Sequence, residues 1–316
     1  MADVCRVGSH LGTRLPLLLL WALFAGVLTS PARAQSAETP TGLTIRSNVN
    51  EVRVSFSTTD KQDRVVATLH RSDFAIVDKD HVVRDFRSFT LSDYTRLDIV
   101  LLVDASDSLQ PHLKQEISNV LHVIGQSTGV PEDSFSVVSF RGLKPKVLCQ
   151  GNCRALDLGA QFPAVAGGGT TPLYDSIVFA ARMLGRTHDI HTRKILVVFS
   201  DGVDTISVAS LNDAIDSTLQ ADAAIYSVDF SKAPHYGQGT TILRGLAATS
   251  GGRYFTAESG ADRVLDTILE DFHATYTVAY KLPSSAEGFH LLRILPTHDP
   301  GLQFHCRRGY YFPNQY

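Results

Sequence analysis

Residues 99–108 read Ile-Val-Leu-Leu-Val-Asp-Ala-Ser-Asp-Ser. The first five are apolar without a break, as a strand covered on both faces requires. Acid and hydroxyl side chains then follow within a single turn. A second such run, Ile195–Phe199, also ends in polar residues, Ser200-Asp201-Gly202. Between and after them, apolar residues recur at helical spacing: Leu113 to Ile124, then Leu173, Ile177, Ala181 and Leu184, then Leu211, Ile215 and Leu219. Phe135–Phe140 and Ala224–Phe230 supply further strands, and Ile242–Ala247 and Val264–Phe272 further helices. Alternating strands and helices predict the α/β class: an open, doubly wound, mostly parallel, Rossmann-like sheet with helices on both faces.

The texture changes on either side. Val52, Val54 and Phe56 alternate with Arg53, Ser55 and Ser57, the period of a half-buried strand. Val65–Leu69, Phe74–Val77 and Phe86–Leu91 continue in short strand-like pieces, broken by turns such as Asp78-Lys79-Asp80-His81. After residue 274, Tyr276–Tyr280, His290–Leu295, Leu302–His305 and Tyr310–Phe312 again read as strands. The expected organisation is a signal segment at 1–34, a β-rich segment at 35–92, an α/β domain at 93–274, and a β segment at 275–316. The last segment is expected to pack with the N-terminal one.

The signal segment rests on basic Arg6 and Arg14, the apolar run Leu15–Leu28, and a small-x-small pattern at Ala32 and Ala34. The run is short for a bilayer span, which takes about 20 residues. The expected product is secreted, extracellular or periplasmic, with no transmembrane segment. Removing residues 1–34 shifts the formal net charge from −3 to −5. No dense Lys/Arg block appears, so a nucleic-acid partner is not expected. Three cysteines then remain. Cys149 and Cys153 form the expected disulfide, with pairing to Cys306 as the alternative.

The candidate chemistry lies where the buried strands end, because ligands of open α/β sheets bind outside the carboxyl ends of the strands. Asp104, Ser106 and Ser108 share one turn. Gly167–Gly169 leads to Thr170 and Thr171 ahead of a helix. Asp201 follows the second buried strand. Two carboxylates and three hydroxyls make an all-oxygen set suited to a hard cation. Mg²⁺ is the expected ion, with Ca²⁺ or Mn²⁺ as alternatives. Such an ion has about six coordination positions, and one is left for an outside oxygen.

These residues resemble the metal-ion-dependent adhesion site (MIDAS) of von Willebrand factor type A domains: Asp-x-Ser-x-Ser after the first strand, a Thr in a Gly-rich loop, and an Asp after a central strand. The resemblance spans about residues 95–274. It implies a metal set of Asp104, Ser106, Ser108, Thr171 and Asp201, supported by Asp107, Thr170 and Asp204. It also implies a protein partner that offers an acidic side chain to the ion. The whole chain further resembles secreted bacterial A-domain proteins of the acidobacterial type, through Ser72–Asp78 (SDFAIVD) and Arg308–Tyr311 (RGYY). The expected role is a secreted, cation-dependent adhesion module. The alternative is an envelope scaffold whose cation only stabilises the fold.

Other motifs have plainer readings. His188 and His191 lack a matching acid or third His, and read as solvated loop residues. The Gly167–Gly169 run has no following Lys, so it is not a phosphate loop. No GxSxG elbow or acid–base pair suggests an enzyme. Arg307 and Arg308 read as edge-strand charges. Thr171 ahead of Pro172 doubles as a candidate helix N-cap.

Overall fold

β5 (Arg96–Asp104) runs inside a six-stranded sheet of order β10-β9-β8-β5-β6-β7. The computed structural model describes residues 51–92, 96–106, 133–151, 153, 169–187, 189, 191–231, 237–257, 261–283 and 287–312. The expected signal segment, the expected helix over Leu113–Ile124, Asp107, Ser108 and His188 lie outside the described residues. β6 (Ser134–Arg141) and β8 (Thr192–Ser200) flank β5 in parallel. β9 (Ala223–Asp229) and β10 (Tyr254–Thr256) continue the parallel set. The far edge is β7 (Lys144–Cys149), antiparallel to β6.

Alternation along β5 feeds two separate cores. Ile99, Leu101 and Val103 join one, together with Val197 and Phe199 of β8. Val100 and Leu102 join the other, with Leu196 and Val198. Every one of these side chains is at most 1% exposed, which is why the run carries no polar residue. On one face Val264, Ile268 and Phe272 of α4 (Ala261–His273) close the core. On the other lie α1 (Leu173–Gly185), α2 (Leu211–Ala221) and α3 (Gln238–Ser250). α1 buries Leu173, Ile177, Ala180, Ala181 and Leu184 along one stripe. α2 begins with a capping box in which Ser210 and Asp213 each satisfy the other's backbone N–H.

Two four-stranded antiparallel sheets flank this unit, and each mixes strands from both ends of the chain. The first has the order β13-β1-β11-β4 and the second β14-β12-β2-β3. The early strands are β1 (Glu51–Thr59), β2 (Phe74–Asp78), β3 (His81–Val83) and β4 (Phe86–Ser92). The late ones are β11 (Thr275–Lys281), β12 (Gly288–Pro296), β13 (Gln303–Cys306) and β14 (Gly309–Phe312). β1 lies between β11 and β13, with Val54 opposite Val278 and Phe56 opposite Cys306. The two sheets share one apolar core that contains Phe56, Phe74, Ile76, Tyr276 and Ile294. The ring of Phe74 sits 5.3 Å from those of Phe56 and Phe89. Lys79 and Asp80 both take positive φ, 43° and 68°, as a tight two-residue hairpin between β2 and β3 requires.

Asp78 is fully buried in this β core. Its carboxylate accepts from the hydroxyls of Tyr280 at 2.8 Å and Tyr310 at 2.6 Å, and faces His290 Nδ1 at 3.2 Å. The four residues come from β2, β11, β12 and β14, so the network fixes the register of late strands against an early one.

Val65–Leu69 is not a strand. Only an isolated bridge links Val65 to Thr59. The Leu69 N–H is taken by the Tyr276 hydroxyl at 2.8 Å, so a side chain replaces the missing ladder. Cys149 and Cys153 form the disulfide, with Cα atoms 5.7 Å apart, and Cys306 is free. No helix among the described residues is long and apolar enough to cross a membrane.

Candidate metal centre

Asp104 ends β5 and is completely buried. One carboxylate oxygen accepts the Ser106 N–H at 2.9 Å, which folds the chain back over the strand end. The other accepts the Ser200 hydroxyl at 2.8 Å. Ser200 ends β8, the parallel neighbour of β5, and its Oγ accepts the Gly202 N–H at 3.1 Å. Burial pushes the Asp104 carboxyl up to about 6, the bonds from Ser106 and Ser200 pull it back, and the nearby Asp201 charge adds to the rise. Two carboxylates therefore feel each other across adjacent strand ends.

The position of Asp201 depends on a close backbone crossing. Gly202 has φ +78°, and a Cβ there would lie 2.3 Å from the Gly239 carbonyl oxygen. A Cβ on Gly239 would lie 2.1 Å from the Asp201 backbone carbonyl oxygen. Only a glycine pair lets the loop after β8 cross the start of α3. One Asp201 oxygen accepts the Val203 N–H at 3.0 Å.

Thr171 is 5% exposed and is held by the same loop. Its N–H reaches Thr205 Oγ1 at 2.7 Å, and the Thr205 N–H returns to the Thr171 carbonyl at 2.9 Å. The Thr170 carbonyl accepts from Gly142 N–H at 2.8 Å, tying this segment to the β6–β7 turn. The candidate N-cap role of Thr171 is not observed: Pro172 is the N-cap residue of α1, and it makes no side-chain cap bond. Asp204 instead accepts the Tyr174 N–H at 3.2 Å from the neighbouring loop. Asp175, in the first turn of α1, accepts from Val208 and Ala209 N–H at 3.0 and 2.8 Å. The helix start and the Asp201 loop thus hold each other.

Asp104, Ser106, Thr171 and Asp201 accordingly occupy interlocked loops at the carboxyl side of β5 and β8. Asp107 and Ser108 lie outside the described residues. No group of three or more His, Cys, Asp or Glu side chains among the described residues is arranged to hold a metal. The set expected from the sequence has only two carboxylates, and its remaining donors are hydroxyls. Sequence reasoning did not assign roles to Ser200, Thr205, Asp175 or Ser207, whose Oγ accepts the Asp175 N–H at 3.1 Å and donates to Asp204; these residues brace the loops. It also missed Asp229, the buried last residue of β9, which accepts from Thr240 and Tyr254 hydroxyls at 2.7 Å each. Its place at a strand end was the available signal.

The family profile for the von Willebrand factor type A domain matches residues 98–271, from β5 through α4. The chain belongs to the von Willebrand factor type A domain family. Solved structures similar to this A-domain protein include an aerotolerance-related membrane protein from Bacteroides fragilis NCTC 9343, at 13% identity and TM-score 0.43, covering 55% of this chain and 98% of that one. BatB from Bacteroides thetaiotaomicron is similar at 13% identity and TM-score 0.40, covering 56% and 98%. Proximal thread matrix protein 1 from the mussel byssus is similar at 16% identity and TM-score 0.44, covering 61% and 50%. No curated protein matches the chain. The A domain suggests a protein-binding or adhesion role, as the family's modules are generally non-catalytic.

Proposed function

We propose that the A domain binds a protein partner through a divalent cation held by Asp104, Ser106, Ser108, Thr171 and Asp201. One observation carries this reading. A buried carboxylate sits beside a second one at adjacent strand ends, and no Lys, Arg or His among the described residues lies within ion-pair distance of either. Uncompensated buried charge is costly, and a hard cation among hydroxyls relieves it. The donor chemistry fits Mg²⁺, with Ca²⁺ and Mn²⁺ as alternatives. When bound, the ion supplies an open position for an acidic side chain of the partner. Asp204 and Thr205 act on α1 and Thr171, and keep the second loop in place.

The basic start, apolar run and small-residue pattern of residues 1–34 support an exported protein. The likeness of SDFAIVD and RGYY to secreted bacterial relatives supports the same location. We place the domain limits at 35–92, 93–274 and 275–316, with the outer segments forming one β unit around the A domain. The mixed parentage of the two flanking sheets supports that division.

The test is capture of surface proteins by the mature chain with Mg²⁺, with EDTA, and with Asp104→Ala. Capture lost in both of the latter is the expected result. Capture unchanged by both would remove the cation from the mechanism. A Mg²⁺-dependent rise in Tm without any Mg²⁺-dependent partner would favour the scaffold role instead.

A further inference from the structure

A cleft of about 330 Å³ opens at the end of the A domain opposite the candidate metal centre. One wall is formed by the amino ends of β8 and β9, at Thr192–Lys194 and Ala223–Ala224. The facing wall is the outer surface of β1, β11 and β4, which offers the hydroxyls of Ser55, Ser88, Thr90 and Thr277. Four cationic side chains from distant parts of the sequence line it: Arg53, Arg193, Lys194 and Arg307. Asp222 is the one carboxylate in the lining among the described residues.

The charges are only partly cancelled internally: two of the four are ion-paired, and Asp222 and Asp98 act on Lys194 from a longer range. Arg193 donates only to neutral oxygens, the Asp271 carbonyl at 3.3 Å and the Tyr226 hydroxyl at 3.3 Å. Lys194 donates to the Ala221 carbonyl at 3.0 Å. Neither has a carboxylate within ion-pair distance among the described residues. Arg307 shares Asp222 and donates to the Arg53 carbonyl, while its buried Nε finds no acceptor among the described residues. Arg53 is paired with Glu51 at 3.1 Å, and Glu51 is shared with Arg87. Burial also lowers the Lys194 pKa, so an incoming anion would offset a real cost. This concentration of positive charge stands out in a chain whose formal charge is −3, and a low-dielectric cleft focuses such a field.

We propose that this cleft is a second binding site, for a small ligand carrying at least two oxyanion groups of the phosphate or carboxylate kind. The volume lies in the range of small-molecule pockets, roughly 300–1,000 Å³. No Phe, Tyr or Trp among the described residues lines it, so recognition rests on charge and hydroxyl hydrogen bonds, without ring stacking. Guanidinium and ammonium donors bind such oxygens with charge-assisted bonds. Arg307, read from the sequence as an edge charge, becomes a wall of this site. A ligand there would touch both the A domain and the flanking sheet, and so brace one against the other.

Isothermal titration of the mature chain with pyrophosphate and with citrate, at low ionic strength, tests the proposal. Saturable binding of at least one is expected, weakened about tenfold or more in Arg53→Gln/Lys194→Gln, with an unchanged circular dichroism spectrum. The tighter of the two names the group, phosphate or carboxylate. If the double variant does not fold, exposed Arg53→Gln alone is used, and a several-fold loss is expected. Heats that never saturate below about 10 mM for either anion, or equal affinity in wild type and variant, would overturn the site. Mg²⁺ binding at Asp104 is distant from these residues, so the outcome is independent of the cation-dependent function.

Discussion

Asp104 is the residue on which the cation reading turns. Its ionised form is disfavoured by burial and by Asp201, so a neutral isostere removes a cost along with a ligand. Asp104→Asn is expected to melt no lower than wild type in EDTA and to lose the Tm rise that Mg²⁺ gives the wild type. Saturating ligand at 100 times Kd contributes about 2.7 kcal/mol, which a thermal melt resolves. His305 offers a separate test by pH. It bonds Thr59 at 2.9 Å, and burial together with the Arg253 charge lowers its pKa to about 4. A lowered histidine keeps the folded state neutral while the unfolded chain takes up a proton. Its stabilising contribution is therefore complete above about pH 6.5 and is lost as pH falls towards 4. Unfolding free energies from urea melts across that range should fall less in His305→Gln, by on the order of 2 kcal/mol. The placement of Asp104, Ser106, Thr171 and Asp201 was legible in the sequence because each sits at or just past a strand end or just before a helix. The bond of Asp204 to Tyr174 was not, since it joins residues 30 positions apart through a fold not yet known.

Among the elements, β5 and β8 were legible because burial on both faces leaves no room for a polar residue. β7 was not. Lys144, Pro145 and Lys146 look nothing like a core strand, yet lysine and proline suit an unpaired sheet edge. Val65–Leu69 misled in the other direction, because apolar content alone does not reveal that a tyrosine hydroxyl satisfies the backbone. The loop after β8 makes a firm prediction. Gly202→Ala meets the Gly239 backbone at 2.3 Å and must hold φ +78°. Destabilisation of about 2 kcal/mol or more is expected, with weakened Mg²⁺ binding, because Asp201 moves with it. Arg253 ties α4 to the early loop: it is 4% exposed on its side chain and bonds Asp271 at 2.9 Å and Asp63 at 2.5 Å. Arg253→Ala strands the buried Asp271 carboxylate, and chemical denaturation should register a loss of about 3–5 kcal/mol.

Across the whole molecule, neither flanking sheet is complete without both ends of the chain. A chain that stops at Ala274 lacks β11 to β14, so β1, β2 and β4 lose the partners they pair with. In limited proteolysis of residues 35–274, cleavage within 51–92 should be rapid, whereas in 35–316 it should be slow. Equal protection in both would mean that the early strands fold without the tail. That the tail and the early segment read alike was visible in their shared alternation. The division into two sheets was not, because register depends on pairs such as Phe56 with Cys306 that no local pattern records.

This pairing also bears on how the protein is made. Phe56 emerges from the ribosome long before Tyr276 and Cys306, the residues that β1 meets on either side. Until residues 275–306 follow, this half-apolar strand lacks both of its sheet neighbours. Closing so distant a contact is slow, and the waiting strand invites contact with other nascent chains. A chaperone that holds this first segment extended until the last strands arrive would thus set the yield of folded protein.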